Sequence, residues 1–419
     1  MSDAVSSSGP NPAWRGHDRG SPEYRRILVA LGFVGIATFA QLYSPQGILP
    51  LVARDLQVSA AQSALLISAA TIGLAVGVLP WSWLAGRIGC LPAMRLALIA
   101  AVVFGAVGVV MPEFTGILVL RVLQGLALGG VPALAIAYLH DEVRPAHTVV
   151  AAATYVSGTT VGGLVGRILA APFAEFAGWR VGVAAVVLLC AAATAGFVLI
   201  APVPRGGGRS PQATLRWVAK AAWANLRSAG MLVLFAQAFL LMGGFVTVYN
   251  YLAFRLEQPP FELNAFAVSL LFLAYLAGTY SSRQAGGAAR AFGRTRVLLV
   301  SIAVMVVGVL ITLFGSLVLV IVGLVVFTAG FFGAHAIASG WVGARAAVGR
   351  AQAASLCNLF YYLGSSLIGW FGGLVFAVAG WGATVGLVAG LAVLAAALAG
   401  GYALATRGSV TPGSVTRGS

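Results

Sequence analysis

Arg121 and Gln124 stand three residues apart in one of the most apolar stretches of this 419-residue chain, LVLRVLQGLALGG. A guanidinium inside lipid costs about 2.5–3.5 kcal/mol on insertion scales, so it must reach an interface, pair, or face a wet cavity. Residues three apart on a helix share a face, and this pair offers hydrogen bonding rather than bond cleavage. A second arginine, Arg167, lies in another apolar run. The ten acids are Asp3, Asp18, Glu23, Asp55, Glu113, Asp141, Glu142, Glu175, Glu257 and Glu262, all in tails, loops or segment ends. A mid-membrane carboxylate, whose burial would raise its pKa into the working range, is therefore not expected. Proton chemistry would fall to Asp55, Glu142, Glu257 or His335. The one dense cluster, LHDEVRPAH with His140, Asp141, Glu142 and His147, has poor ligand spacing and no second set. Cys90, Cys190 and Cys357 have no paired spacing. No enzymatic centre, cofactor or metal is expected.

Other polar and aromatic side chains interrupt the apolar runs: Gln41, Tyr43, Gln237, Thr247, Tyr249, Asn250, Tyr251, Tyr275, His335, Asn358, Tyr361 and Tyr362. Amides and hydroxyls buried in lipid need partners, and a solute can be one. Aromatic rings suit a planar or amphipathic solute. Packing between helices accounts for any single one of them equally well. Gly158, Gly162 and Gly166 recur at every fourth residue, a small-residue stripe that permits close helix contact and sliding.

The elements that position these residues follow from composition. The chain is 60% hydrophobic and 8% charged, against about 25% charged in soluble domains. Twelve apolar segments, near 27–47, 62–85, 93–111, 115–138, 148–173, 179–200, 229–252, 264–282, 297–314, 317–340, 352–375 and 380–405, each approach the ~20 residues that cross hydrocarbon. Backbone groups in lipid must be satisfied within the segment, which predicts helices. The expectation is an all-α membrane protein with twelve transmembrane helices in two six-helix halves, 27–200 and 229–405. A cytoplasmic tail (1–26), a cytoplasmic linker (201–228) and a disordered tail (406–419) complete the chain. The polar leader before the first segment reads as a retained tail, not a cleaved signal. With both termini inside, twenty cations fall in cytoplasmic loops and tails and three, Arg54, Arg180 and Arg255, outside. The linker carries Trp217 and Trp223 among its charges and predicts a short surface helix.

The halves echo each other: AGW at 177–179 returns at 379–381, and AIA at 135–137 returns at 336–338. Such duplications mark carriers whose halves rock about a central site. The chain resembles the major facilitator superfamily over about residues 25–406, nearest in pattern to the twelve-helix bacterial drug- and sugar-efflux group with acriflavine-sensitivity-type permeases. The loop SWLAGRIGCL (82–91) keeps Arg87 and Gly89 of the signature between the second and third spans but has Gly86 in place of its acid. The fourth-span signature R-x-x-Q-G-x-x-x-G is intact as Arg121, Gln124, Gly125 and Gly129. Half of the fifth-span antiporter signature is present as Gly158, Gly162 and Gly166, with Arg167 where its last glycine would stand.

The resemblance implies the major facilitator fold and a secondary carrier in the bacterial inner membrane, active as a monomer. Its cavity would be lined mainly by spans 1, 4, 7 and 10. The transport class is proton-coupled efflux of a small organic solute, with uptake or exchange of a metabolite without protons as the alternative. A non-transporting receptor or scaffold is the reading of another class, and nucleic-acid binding lacks a basic domain. Arg121, Gln124, Asp55, Arg87, Gly89, Gly158, Gly162, Gly166 and Arg167 are the transport and gating candidates. Gln41, Tyr43, Gln237, Tyr249, Asn250, Tyr275, His335, Asn358 and Tyr361 are the cavity candidates. Arg121 is expected to be held by hydrogen bonds rather than by a close acid, with Asp55, reached across the outer mouth in one gating state, the plausible ionic partner and Glu113 a weaker one. Removing its charge is expected to ease insertion.

Overall fold

Long apolar runs become helices because helices alone satisfy their own backbone groups in lipid. The computed structural model describes residues 14–205 and 215–407; the repeated GSVT tail lies outside them. The first span is α1 (Pro22–Tyr43), N-capped by the Ser21 side chain accepting from the Tyr24 N–H. It breaks at Ser44–Pro45, passes through a 3₁₀ turn (Gln46–Ile48) and resumes as α2 (Leu49–Asp55). The second and third spans are α3 (Ala60–Ile88) and α4 (Cys90–Val110). The fourth is divided into α5 (Phe114–Leu128) and α6 (Val131–Glu142) around Gly129–Gly130, with Pro132 in the first turn of α6. The fifth and sixth are α7 (Pro145–Ala177) and α8 (Trp179–Ile200).

The expected linker helix is present as α9 (Leu215–Leu226). The seventh span is α10 (Ala229–Leu256). The eighth is α11 (Ala265–Leu270), a 3₁₀ turn (Leu271–Ala274) and α12 (Tyr275–Phe292). The ninth and tenth are α13 (Arg294–Ile311) and α14 (Leu317–Arg345). The last two run on as α15 (Arg350–Arg407), broken at Gly380 (φ 68°, ψ −163°). Among the described residues eleven helical stretches are long and apolar enough to cross a membrane, the last of them broken at Gly380 into two apolar arms, and no strand occurs. Most helices extend several residues beyond the apolar segments, because polar loop residues continue the last turns.

Glycine makes the sharpest joints, at positions closed to residues with a Cβ. Gly89 joins α3 to α4 at φ 91°, and Gly293 joins α12 to α13 at φ 87°. Gly178 joins α7 to α8 at φ 89°, and Gly380 breaks α15 at φ 68°. Each pair stands about 200 residues apart, so the duplication read in short alanine-rich matches also exists as a repeated backbone conformation.

Contacts group the chain into two compact units: Met1–Thr214 with Tyr249–Leu273 and Gly369–Gly380, and Leu215–Val248 with Ala274–Ile368 and Trp381–Ser419. In the first unit the glycine stripe of α7 lies on α1: a Cβ at Gly162 would stand 2.6 Å from the Ile36 Cα, and one at Gly166 2.5 Å from the Ala40 Cα. At Gly158 the nearest atom, the Gly32 Cα, would be 3.2 Å away. Gly125 and Gly129 of α5 similarly abut α3, where a Cβ would overlap the Ala70 and Leu74 carbonyls. The same device closes α13 on α14 in the second unit through Gly308, Gly323 and Gly330. That unit's core includes a ring cluster in which Phe245 stacks on Phe331 at 3.9 Å and on Phe327 at 5.7 Å.

Candidate solute pathway and its supports

The breaks in the first and fourth spans expose backbone groups that a continuous helix would have satisfied. Arg121 meets the first of them. Its Nη1 donates to the Gln41 carbonyl at 3.0 Å and its Nη2 to the Leu42 carbonyl at 2.5 Å, both in the last turn of α1. Nε donates to the Leu66 carbonyl of α3 at 2.9 Å. Gln124 completes the set: its Oε1 accepts from Arg121 Nη1 at 2.6 Å, and its Nε2 donates to Gln41 Oε1 at 2.8 Å and to the Ala101 carbonyl at 3.2 Å. One guanidinium and one amide thus tie α1, α3, α4 and α5 together. Both line a cavity of about 30 Å³ with Gln41, Leu66, Gly105 and Trp179. Hydrogen bonds rather than a close acid hold the guanidinium. Asp55 accepts from Trp179 Nε1 at 2.7 Å, fastening the end of α2 to the start of α8.

Beyond the α1 break lies a second polar chain. Arg167 is buried; its Nε donates to Gln46 Oε1 at 2.8 Å and its Nη1 to the Gly163 carbonyl at 2.6 Å. Its guanidinium carbon sits 4.2 Å from the Tyr43 ring centre and 5.0 Å from that of Phe272, within cation–π range. Gln46 Nε2 continues to Asn250 Oδ1 at 2.7 Å. Tyr249 stacks on Phe272 at 5.2 Å. The Asn250 Nδ2 group is buried and has no hydrogen-bond acceptor within the described residues. Sequence reasoning named Tyr43, Arg167, Tyr249 and Asn250 but missed Gln46 and Phe272. Gln46 carried a signal: an amide placed between Pro45 and Gly47 in an apolar run.

Further along the same unit, Arg54 of α2 donates to Glu257 at 2.6 Å. The arginine side chain is 62% exposed and the glutamate 11%. Burial raises the Glu257 pKa and Glu175 adds to the rise, outweighing the opposing pull of the water-screened Arg54. Tyr251 donates to the Gly369 carbonyl at 2.7 Å.

The remaining candidates divide. In the second unit His335 stacks on Phe331 at 5.8 Å and leans on Tyr361 at 5.0 Å, and Tyr361 meets Tyr362 edge-on. Tyr275 joins the same aromatic group through Phe245 and Phe332. Gln237 stands apart from these rings, donating to the Ala395 carbonyl at 2.8 Å. Thr247 donates to the Gly243 and Ile368 carbonyls. Asn358 is exposed. In the first unit Arg87 lies 3.5 Å over the Trp83 ring, and Gly89 supplies the joint already described. The LHDE cluster has a structural use. Glu142, fully buried, accepts from the Arg205 N–H at 2.9 Å, and its carbonyl accepts from the His17 N–H at 2.8 Å. Arg144 pairs with Asp18 at 2.8 Å. No group of metal-binding side chains occurs among the described residues.

Long apolar helices with hydrogen-bonded polar chains buried among them define a multi-pass membrane protein. The profile of the Major Facilitator Superfamily matches residues 31–286. The chain is 39% identical to the inner membrane transport protein YnfM of Escherichia coli K12 over 397 residues, covering 94% of this chain and 93% of that one. It is 33% identical to the MFS-type transporter YybF of Bacillus subtilis 168 over 382 residues, covering 91% and 94%. Among solved structures, the POT family transporter PepTSo superposes with a TM-score of 0.74 at 15% identity, over 95% of this chain and 99% of that one. The xylose transporter XylE of E. coli superposes at 0.69 and 13% identity, over 93% and 98%. The chain belongs to the Major Facilitator Superfamily, a family of transporters and not of enzymes.

Proposed function

We propose that this protein is a secondary carrier for a small organic solute and that the Arg167–Gln46–Asn250 chain lines the solute's path. The buried Asn250 amide carries the reading. Its Oδ1 is engaged by Gln46 while its Nδ2 has no acceptor within the described residues, and such a group costs about 1–3 kcal/mol until it finds one. A carbonyl, carboxylate or ring oxygen of a solute fits that donor. Tyr43, Tyr249 and Phe272 offer flat apolar surface beside it, which suits a solute with a planar or amphipathic body. Arg121 acts one step back as a positioning residue: it holds the carbonyls at the end of α1, from which Tyr43 and Gln46 project.

Export from the cytoplasm in exchange for entering protons is the proposed direction. Its support is the intact fourth-span signature and the half-kept fifth-span signature. Glu257 would serve as the outer proton-sensitive group, since burial has already moved its pKa upward. It faces Arg54 directly, with Glu175 the other charge acting on it. We place the protein in the bacterial inner membrane, as a monomer, with both termini and the 201–228 linker on the cytoplasmic side; the name of the E. coli relative and the charge split between loops support this. The second reading, uptake or exchange without protons, is favoured by one observation: no Asp or Glu lies at mid-span.

The test is a flux screen in inside-out and right-side-out vesicles, with the pH gradient varied alone. Solute movement that follows the gradient supports proton-coupled export. Movement that ignores it selects the second reading, and no protein-dependent movement of any solute removes the carrier reading.

A further inference from the structure

The second unit holds a cavity that the transport reading does not use. It lies where four helix ends meet: the start of α10, the start of α13, the end of α14 and the end of α15. Its volume is about 170 Å³. Arg345 and Tyr402 form one side and are hydrogen-bonded to each other, with the guanidinium carbon 5.0 Å from the tyrosine ring centre. Thr295, in the first turn of α13, adds a hydroxyl, and Trp341 adds an indole. Val233, Leu234 and Leu298 add apolar lining. Gly230 matters for the shape: a Cβ there would overlap the Arg345 guanidinium.

The charge around this cavity is one-sided. Residues 263–419 contain no aspartate or glutamate, and neither does the stretch from 176 to 256. The second unit therefore has no carboxylate of its own. Yet Arg216, Lys220, Arg227, Arg283, Arg290, Arg294, Arg296, Arg345 and Arg350 are all exposed: Arg294, Arg296 and Arg345 at the helix ends that meet here, Arg216, Lys220 and Arg227 on α9 or directly after it, Arg290 near the end of α12, Arg350 at the start of α15, and Arg283 midway along α12. Asn225 of α9 donates to the Val348 carbonyl at 3.0 Å, which brings that helix, with exposed Trp217 and Trp223, to the same end. Orientation in the membrane needs an excess of cations but does not forbid acids, which contribute little to it. The neutralising anions must come from outside the unit.

We propose that this cavity binds an acidic phospholipid. Its phosphate would sit against Arg345, Tyr402 and Thr295, and the start of an acyl chain would lie along Val233, Leu234 and Leu298. Planar guanidinium groups pair with phosphate oxygens through two parallel N–H bonds. Indole and phenol side chains belong at headgroup level, where one end is apolar and the other wet. Basic pockets between helices at a cytoplasmic surface recognise such headgroups. The exposed tryptophans of α9 would lie in the same headgroup layer. A free phosphate ion shares the headgroup chemistry but makes no use of the apolar wall.

The full chain, purified in a neutral detergent, is titrated with phosphatidylglycerol or with phosphatidylcholine of the same acyl chains, and bound lipid is read by native mass spectrometry. Phosphatidylglycerol is expected to bind at least about fivefold more tightly. Arg345→Gln is expected to reduce its binding about fivefold, the equivalent of about 1 kcal/mol for one interfacial cation. Arg345→Lys keeps the charge and most of the preference. Arg283→Gln, midway along α12 and outside the cavity, leaves binding nearly unchanged. Tyr402→Phe, which removes only a hydroxyl, weakens binding measurably and carries the test if Arg345→Gln fails to fold. Equal binding of the two lipids overturns the proposal. Equal losses in Arg283→Gln and Arg345→Gln overturn it as well, by showing diffuse surface charge. Millimolar inorganic phosphate that displaces the lipid and raises thermal stability by itself assigns the cavity to a soluble anion and overturns the lipid assignment.

Discussion

Replacing Arg121 with alanine separates a structural tie from a charge stranded in lipid. The side chain makes four hydrogen bonds, to the carbonyls of Gln41, Leu42 and Leu66 and to Gln124 Oε1. Interhelical hydrogen bonds in membranes average about 0.6 kcal/mol, which sets a floor near 2 kcal/mol for the four. Bonds to a charged group start at about 1.5 kcal/mol each, so on that scale the four together reach about 6 kcal/mol. Water entering the neighbouring cavity of about 30 Å³ can replace one partner at most. A loss of about 2–5 kcal/mol is therefore expected in the unfolding free energy of the inserted protein. Arg121→Lys should recover little of it, since a compact ammonium cannot span three carbonyls and an amide that a planar fork reaches together. The easier insertion read from sequence for the alanine variant concerns entry into the membrane; the tie acts once the helices have assembled. Reversible unfolding in mixed micelles, read by far-ultraviolet circular dichroism, measures the difference. Stability within about 0.5 kcal/mol of the parent protein in Arg121→Ala would refute the tie and leave Arg121 without a positioning role.

Three further outcomes follow from other parts of the molecule. Glu257 has a raised folded-state pKa, so the folded protein holds its proton more tightly than the unfolded chain does, and stability should fall as pH rises from the ordinary carboxylate range through the raised value. Glu257→Gln should flatten that dependence in thermal unfolding across pH 4–8, and an unchanged slope would remove Glu257 as its source. Gly162→Ala should lower the yield of folded protein sharply because the new methyl meets α1 backbone at 2.6 Å, whereas Gly158→Ala, at 3.2 Å, should cost much less, as fluorescence-detected size exclusion would show. Asn250→Leu removes the unmatched donor but also the acceptor for Gln46 Nε2, so stability should fall by about 1–3 kcal/mol, while solute flux per inserted chain falls at least tenfold; flux per inserted chain near that of the parent would make Asn250 a packing residue.

The spans were legible because hydrocarbon demands some twenty apolar residues and backbone closure, and both leave marks in sequence. The glycine stripe of α7 was legible as spacing, but not its target, since Gly32, Ile36 and Ala40 carry no mark of being a landing surface. The breaks at Ser44–Pro45 and Gly129–Gly130 are written in turn-forming residues yet hidden within continuous hydropathy. That concealment is why the hydrogen-bond partners of Arg121 could not be named in advance. Its partners are carbonyls freed at the end of a helix, and a sequence does not announce a carbonyl. For the same reason the Ala395 carbonyl that accepts from Gln237 could not be read from sequence. Composition could place Gln46 in an apolar run, but only folding brings it between Arg167 and Asn250.

The most direct measurement is initial solute flux in proteoliposomes for Arg167→Gln beside the parent protein, each normalised to the amount of inserted chain, with a solute found in the vesicle screen. Glutamine preserves hydrogen bonding toward Gln46 but removes the charge between the Tyr43 and Phe272 rings. A fall of at least tenfold with thermal stability retained is the expected result. Flux within twofold of the parent would contradict a solute path along Arg167, Gln46 and Asn250.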